Sequence, residues 1–138
     1  QPDVRGLITG LSLSSDRDHI ITAFLQSVAF QTQTLLGLMA EEGAPVETLR
    51  VDGGMVVNEA LCQFLSDILQ VGVDRPLDIE TTAKGAGILA AIGCGLLQDL
   101  TDAASHWRLD KRFEPDMEDS ARTRLLAGYD KAVGRALL

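Results

Sequence analysis

The residues best suited to chemistry form one short run, Asp52-Gly53-Gly54 followed by Asn58. Adjacent glycines leave the backbone without Cβ atoms, so the chain can turn sharply and a ligand can approach the main chain closely. The apolar residues before the run predict a strand, and those after Asn58 predict a helix. The first N–H groups of a helix have no intrahelical partner, which suits an anion such as a phosphate. The run therefore predicts a strand–turn–helix junction suited to a nucleotide.

Each of these residues also has a purely structural interpretation. The glycine pair fits an ordinary strand-to-helix turn, because the chain has neither the G-x-x-x-x-G-K-[ST] phosphate loop nor a dinucleotide fingerprint. Asn58 stands where an asparagine caps a helix, although its amide also suits a base or a ribose. Asp52 has no second carboxylate, histidine or lysine close by in sequence as a catalytic partner. From residue types alone, the turn, the cap and a surface carboxylate are the favoured interpretations.

Composition limits the classes of partner. The 138 residues carry a net charge of −8, and the 12 basic residues are scattered rather than gathered on one face, which argues against nucleic acid. No apolar run reaches the ~18 residues of a membrane span, and no signal peptide is visible. We expect a single cytoplasmic domain with no nucleic-acid partner and no membrane span.

The cysteines and histidines predict neither a disulfide nor a metal site. Cys62 and Cys94 each lie in an apolar helical segment, which indicates buried thiols in a reducing cytoplasm. His19 and His106 are far apart without ligand spacing, so zinc is not predicted. Trp107, in a basic segment, fits loop packing better than contact with an anion or a partner.

Periodicity orders the chain as strands alternating with helices. Strands are predicted at 5–13, 46–52 and 71–76, helices at 16–42, 58–69, 83–97 and 118–138, and a loop at 99–115. The first helix is expected to start at the Ser15-x-x-Asp18 pattern, and the third at Thr81 or Thr82. The order predicts an α/β domain with a short, mostly parallel sheet, whose ligands sit at the carboxyl ends of strands.

Two further expectations come from the same elements. Three strands make a thin sheet for four helices, so a strand edge and apolar helix faces should be exposed. The helix at 83–97 is rich in glycine and alanine, which predicts close approach of another backbone or of a flat ligand.

The chain contains the segments R-G-L-I-T-G-L at 5–11, A-F-Q-T at 29–32 and L-R-V-D-G-G-M-V-V-N at 49–58, with shorter motifs at 63–69, 75–76, 82–86, 113–115 and 127–129. Together these segments resemble the glycerol kinase family, within the carbohydrate kinase superfamily. The A-F-Q-T and V-D-G-G-M-x-x-N segments resemble glycerol kinase more than xylulose or gluconate kinases. Such kinases have two actin-like (ribonuclease H-like) domains. Residues 1–138 resemble the latter part of the second, ATP-binding one, with a C-terminal helical segment at 116–138.

The resemblance implies roles for particular residues. Gly54 and Asn58 match the positions that contact the adenosine part of ATP, Gly53 permits the turn, and the helix after Thr82 packs beside this site. Lys84 and Glu59 depart from the family pattern and allow a different contact with the base. The family's catalytic aspartate, polyol-binding residues and phosphate loops have no counterpart here. The chain therefore has no catalytic or metal-binding residue of its own.

The implied parent enzyme transfers the γ-phosphate of ATP to glycerol with Mg²⁺ and forms a homo-oligomer. The chain opens Gln1-Pro2-Asp3 without methionine, which fits a fragment. By itself it is expected to be inactive and to bind ATP or ADP weakly. Two alternatives stay open: another sugar or polyol kinase of the superfamily, and a non-catalytic nucleotide-binding or assembly module.

Overall fold

The computed structural model of the protein describes residues 5–137 and contains helices on a small mixed sheet. Its elements in chain order are α1 (Arg17–Glu41), β1 (Thr48–Arg50), a 3₁₀ turn (Gly54–Val57), α2 (Glu59–Leu69), β2 (Gly72–Pro76), α3 (Thr81–Gly93), α4 (Leu100–Ser105), β3 (Leu109–Phe113) and α5 (Asp119–Ala136). The predicted α/β class is confirmed. Residues 1–4 and 138, on which parts of the sequence predictions fall, lie outside the described residues.

The sheet has the order β1-β2-β3, with β2 in the centre. β1 runs parallel to β2, with Thr48 opposite Gly72, and α2 forms the crossover between them. β3 runs antiparallel to β2, with Val73 opposite Phe113. The prediction of partly parallel strands is therefore confirmed, and the parallel pair brings the end of β1 close to the end of β2.

The core lies between α2 and one face of the sheet. Leu61, Leu65 and Ile68 recur at three- and four-residue spacing along α2, and each is buried. Val73 of β2 is fully buried against them, and Phe113 of β3 is only 4% exposed. Each such side chain contributes roughly 1.5–3 kcal/mol on burial. This core fixes α2, and with it the turn from which α2 begins.

Aromatic contacts join the long helices to this core. Phe30 of α1 meets Phe64 of α2 edge to face at 5.7 Å between ring centroids, and it stacks on Tyr129 of α5 at 5.0 Å. Ala29 is the one residue of α1 that is fully buried among those described. The rest of α1 leaves several large side chains exposed, including Phe24 and Leu35, which confirms the expectation of exposed apolar helix faces.

The predicted loop at 99–115 is wrong. It contains helix α4, capped by the Asp99 side chain, and the strand β3. The sequence of β3 shows no apolar alternation because its first four residues are exposed and three of them are charged. Ion pairs to β2 support it instead, from Asp110 to Arg75 and from Arg112 to Asp74.

The predicted strand at 5–13 is also wrong. Residues 5–12 have no regular secondary structure, because they have no strand of the described sheet beside them to accept their backbone hydrogen bonds. Residues 5–9 instead line a cavity with α1 and α5, and Thr9 accepts a 2.8 Å hydrogen bond from Arg135 of α5.

Two helix starts differ from the sequence prediction. α1 is capped by Asp16, whose side chain accepts a 3.0 Å hydrogen bond from the His19 amide, rather than by Ser15. α3 begins at Thr81 after Glu80, and no side chain caps it.

Helix α3 and Cys94 were predicted to be packed or buried, and neither is. No residue of α3 is buried, and a Cβ added to Gly85 or Gly87 would meet nothing within 4 Å, so the expected close packing does not form within residues 5–137. Cys94 is exposed at the end of α3, whereas Cys62 is buried as expected, and both thiols are free.

Candidate functional site

The glycine turn lies at the carboxyl end of β1. Parallel pairing continues one residue past the strand, since Val51 N donates to the Asp74 carbonyl at 3.1 Å. Gly53 N then donates to the Ile79 carbonyl, beyond β2, at 2.9 Å. Gly53 has φ 83° and ψ 174°, a conformation that glycine adopts far more readily than other residues. Gly53 therefore permits the turn, as predicted from the sequence.

A 3₁₀ turn, Gly54–Val57, lies between Gly53 and α2, where the sequence predicted that a helix starts directly. Val56 N donates to the Gly53 carbonyl at 3.2 Å, and Asn58 N donates to the Met55 carbonyl at 3.1 Å. Gly54, the first residue of this turn, is exposed and has no positive φ. A Cβ built on Gly54 would meet nothing within 4 Å. The described chain therefore leaves open space at Gly54, into which a ligand can fit.

Asn58 caps α2, which confirms the structural interpretation of this residue. Its Oδ1 accepts a 3.2 Å hydrogen bond from the Leu61 amide. Because a backbone N–H can only donate, the oxygen must face the helix, which turns the side-chain –NH₂ away from it. Asn58 is exposed, and within residues 5–137 this –NH₂ has no acceptor. Capping therefore leaves the donor side of the amide available to a ligand.

The middle of the turn is tied to the sheet by Arg75 of β2. Its Nη1 donates to the Val56 carbonyl at 3.1 Å. Its Nε and Nη2 reach Asp110 Oδ2 of β3 at 2.8 and 2.7 Å, and Nη2 reaches Glu59 Oε1 at 3.3 Å. Lys111 Nζ donates to the other oxygen of Glu59 at 2.8 Å. We call Arg75, Glu59, Asp110 and Lys111 the turn-side ion cluster.

Hydrogen bonds and charges within this cluster shift the pKa values of Glu59 and Arg75. The hydrogen bond from Lys111 and the charge of Lys111 lower the pKa of Glu59, with a smaller contribution from Arg75. The hydrogen bond to Asp110 raises the pKa of Arg75. Glu59 departs from the resembled family pattern, and the structure places its carboxylate in this cluster. Its charge is therefore engaged by Lys111 and Arg75.

The cluster predicts a pH dependence of stability. The folded-state pKa of Glu59 is depressed, so its stabilising contribution is present above the unfolded pKa of roughly 4.3 and is lost as pH falls through the folded value. We expect Glu59→Gln to reduce the acid-side loss of stability, measured as the urea midpoint from neutral to acidic pH. High salt should reduce the difference in urea midpoint between wild type and Glu59→Gln, because the Glu59–Lys111 ion pair is exposed. Identical pH profiles at low salt would contradict this prediction.

The remaining predicted residues lie outside this arrangement. Asp52 is exposed and makes no side-chain hydrogen bond within residues 5–137. Lys84 of α3 pairs with Asp78 at 3.6 Å. Trp107 packs under the Arg50 guanidinium, 4.3 Å from its ring centroid, which confirms the packing interpretation. Among the described residues, no three His, Cys, Asp or Glu side chains form a group that could hold a metal ion.

The role of Arg75 is absent from the predictions made from the sequence. A signal for it exists, because residues i and i+2 of a strand share a face. Val73 is fully buried on the face that packs on α2, so Arg75 points to the same face. An arginine at such a position needs partners, and one of them, Asp110, comes from the predicted loop that is in fact β3.

Comparison with known proteins shows which family this chain resembles. A model of the C-terminal domain of the FGGY family of carbohydrate kinases matches residues 1–94. A glycerol kinase of Marinomonas sp. is 47% identical over 134 residues, which are 97% of this chain and 27% of that protein. Glycerol kinase 1 of Pseudomonas aeruginosa is 48% identical over 134 residues, again 97% and 27%. The chain thus spans about a quarter of the length of these relatives.

Solved structures show the same relationship. The crystal structure of Plasmodium falciparum glycerol kinase with ADP matches with a TM-score of 0.79 and 31% identity, over 99% of this chain and 28% of that one. Xylulose kinase from Rhodospirillum rubrum matches with a TM-score of 0.72 and 26% identity, over 89% of this chain and 25% of that one. Among residues 5–137, none of the helices has both the length and the apolar character that spanning a bilayer requires.

Proposed function

Because the chain belongs to the FGGY family of carbohydrate kinases, as part of the actin-like C-terminal domain, we propose that it forms part of a kinase that transfers the γ-phosphate of ATP to glycerol. The products are sn-glycerol 3-phosphate and ADP. The observation that carries this proposal is the 47–48% identity to glycerol kinases across 97% of the chain. Among the solved structures, identity is 31% to a glycerol kinase and 26% to a xylulose kinase, which supports glycerol rather than xylulose as the acceptor.

In this proposal the turn from Gly53 to Asn58 forms the adenosine side of the nucleotide site. Gly54 offers bare backbone beside open space, and Asn58 presents an –NH₂ group that suits an acceptor atom of the base or ribose. Gly53 shapes the turn through its positive φ. The similar P. falciparum glycerol kinase was crystallised with ADP, which supports a nucleotide as the ligand.

The described residues do not fit a bound metal. Mg²⁺ is usually held by one or two carboxylates together with substrate phosphates. Asp52 is the one carboxylate within the run from Asp52 to Asn58, and no three metal-ligating side chains gather among residues 5–137. We therefore assign no residue of this chain to Mg²⁺, and we propose the ion only as a companion of the nucleotide phosphates.

We also propose a cytoplasmic location and a homo-oligomeric state for the enzyme. A cytoplasmic location agrees with the two free cysteines. A homo-oligomer agrees with the large apolar side chains that α1 leaves exposed, among them Phe24 and Leu35. Light scattering of the purified protein should therefore show a species larger than one chain, and a stable monomer would contradict the oligomer.

Asn58 allows the nucleotide site to be tested apart from the helix cap. Asn58→Asp keeps an oxygen that accepts from the Leu61 amide but removes the –NH₂ group. We expect its stability to match wild type while ADP affinity falls by roughly fivefold, the value of one hydrogen bond of about 1 kcal/mol. Asn58→Ala should lose ADP affinity and, in addition, about 1 kcal/mol of stability.

Calorimetric titration with ADP and thermal unfolding measure the two effects. Equal ADP binding by wild type, Asn58→Asp and Asn58→Ala would overturn the nucleotide site. The acceptor is tested by a kinase assay on the complete polypeptide that carries this sequence, with glycerol, xylulose and gluconate compared at equal concentration. Faster turnover of either sugar substrate than of glycerol would overturn the glycerol assignment.

A further inference from the structure

We propose that Arg75 is a positioning residue of the nucleotide site, which holds the 3₁₀ turn so that Gly54 and Asn58 keep the spacing that the ligand requires. This inference rests on the proposed function, because it concerns the same nucleotide. Arg75 lies on β2, on the side of the turn that faces the sheet, and it touches the turn through a backbone atom. Its effect on the ligand is therefore indirect.

The turn depends on three anchors, and Arg75 supplies the central one. Gly53 N is bonded to the Ile79 carbonyl at the entrance, and the Asn58 side chain is bonded to the Leu61 amide at the exit. Between them, the carbonyl of buried Val56 accepts from Arg75 Nη1 at 3.1 Å and from the Cys62 thiol at 3.4 Å. A thiol is a weak donor, so the guanidinium is the stronger restraint.

The turn-side ion cluster keeps the guanidinium in place. The Arg75 side chain is only 13% exposed, so its charge needs partners. Asp110 engages Nε and Nη2, while Glu59 engages Nη2 from the first residue of α2. The guanidinium carbon also lies 5.6 Å from the Phe113 ring centroid. These contacts link the turn, α2, β2 and β3 through one planar group.

The geometry requires an arginine. A guanidinium has five N–H donors in a fixed plane, which lets it bond the Val56 carbonyl, Asp110 and Glu59 together. A lysine at this position keeps the charge, but its ammonium is a single point on a flexible stem. It can satisfy Asp110 or the Val56 carbonyl, with less restraint on the turn.

The experiment titrates ADP into wild type and into Arg75→Met, Arg75→Lys and Arg112→Met, each prepared as the complete polypeptide that carries this sequence. Arg112 is the matched control, since it lies on β3 over Gly72 and pairs with Asp74 and Glu114, outside the turn. Arg75→Met should lower ADP affinity roughly three- to tenfold, which is less than the full value of a hydrogen bond from a charged donor because Arg75 acts on the ligand only through the turn. Arg75→Lys should lie between Arg75→Met and wild type, and Arg112→Met should bind as wild type does.

Two further measurements separate positioning from a general loss of stability. Ile68→Val weakens the fully buried core without touching the turn, and it should bind ADP as wild type does. Hydrogen exchange of the Asn58 and Leu61 amides should speed up in Arg75→Met but not in Arg112→Met. Arg75→Lys keeps the charge and aliphatic stem, so it provides a folded variant if Arg75→Met does not fold.

The outcomes distinguish this inference from the proposed function. Wild-type affinity in both Arg75 variants, with reduced affinity in Asn58→Asp, overturns the role of Arg75 and leaves the nucleotide site standing. Equal losses in Arg75→Met and Ile68→Val also overturn the positioning role. Absence of ADP binding by wild type, or equal binding by wild type and Asn58→Asp, overturns the nucleotide site and this inference together.

Discussion

Gly54→Val is expected to lower ADP affinity about tenfold or more, because forcing methyl groups into filled space costs about 1–3 kcal/mol. Thermal stability should change little. A Cβ on Gly54 meets nothing within 4 Å, and its φ is not positive, so the folded chain accepts a side chain there. The bound nucleotide would occupy that space. Titration with ADP and thermal unfolding of the same samples measure the two quantities.

Two other glycines serve as controls for this result. Gly134→Val places the same side chain in open space on α5, and it should leave ADP affinity unchanged. Gly53→Ala, in contrast, should lower mainly the stability of the protein. Its φ of 83° strains any other residue, so we expect a loss of about 1–2 kcal/mol in stability. Unaltered ADP binding by Gly54→Val would show that no ligand approaches this backbone.

Phe113→Ala is expected to lower the free energy of unfolding by about 3–5 kcal/mol, the cost of truncating a buried phenylalanine. Domains of this kind have a total stability of about 5–15 kcal/mol, so the variant should be close to unfolding at moderate temperature. Phe113 is 4% exposed and joins β3 to the core, while the Arg75 and Lys111 charges lie over its ring. Urea unfolding followed by circular dichroism measures the change.

Phe24→Ala is the matched control, since Phe24 is 63% exposed on α1. Its truncation should change stability by about 0.5 kcal/mol or less, as for other surface substitutions. A similar loss in both variants would contradict the placement of the core between α2 and the sheet.

Local signals in the sequence predicted α2 and its neighbouring strand β2 well. α2 was predicted at 58–69 and lies at Glu59–Leu69, because its apolar residues repeat with helical period and Asn58 caps its start. β2 was predicted at 71–76 and lies at Gly72–Pro76. In both segments the pattern along the chain agrees with what the folded protein buries.

Prediction failed where stability comes from partners distant in sequence. The charged residues of β3 carry no strand signal, and they become a strand through pairing with β2 and its side chains. Residues 5–12 carry a strand signal but have no neighbouring strand among the described residues. α3 has a small-residue face that nothing described covers. Backbone pairing and helix packing depend on the neighbour, which a local pattern does not contain.

The sequence by itself determined the turn of Gly53, Gly54 and Asn58, because glycine conformational freedom and asparagine capping are properties of single residues. It also determined the family, through motifs spread along the chain. Only the tertiary structure decided that Arg75, on a strand beyond α2, bonds the Val56 carbonyl of the turn and pairs with Asp110 of β3. Strand register sets that contact, and register arises only when separate segments pair across the sheet.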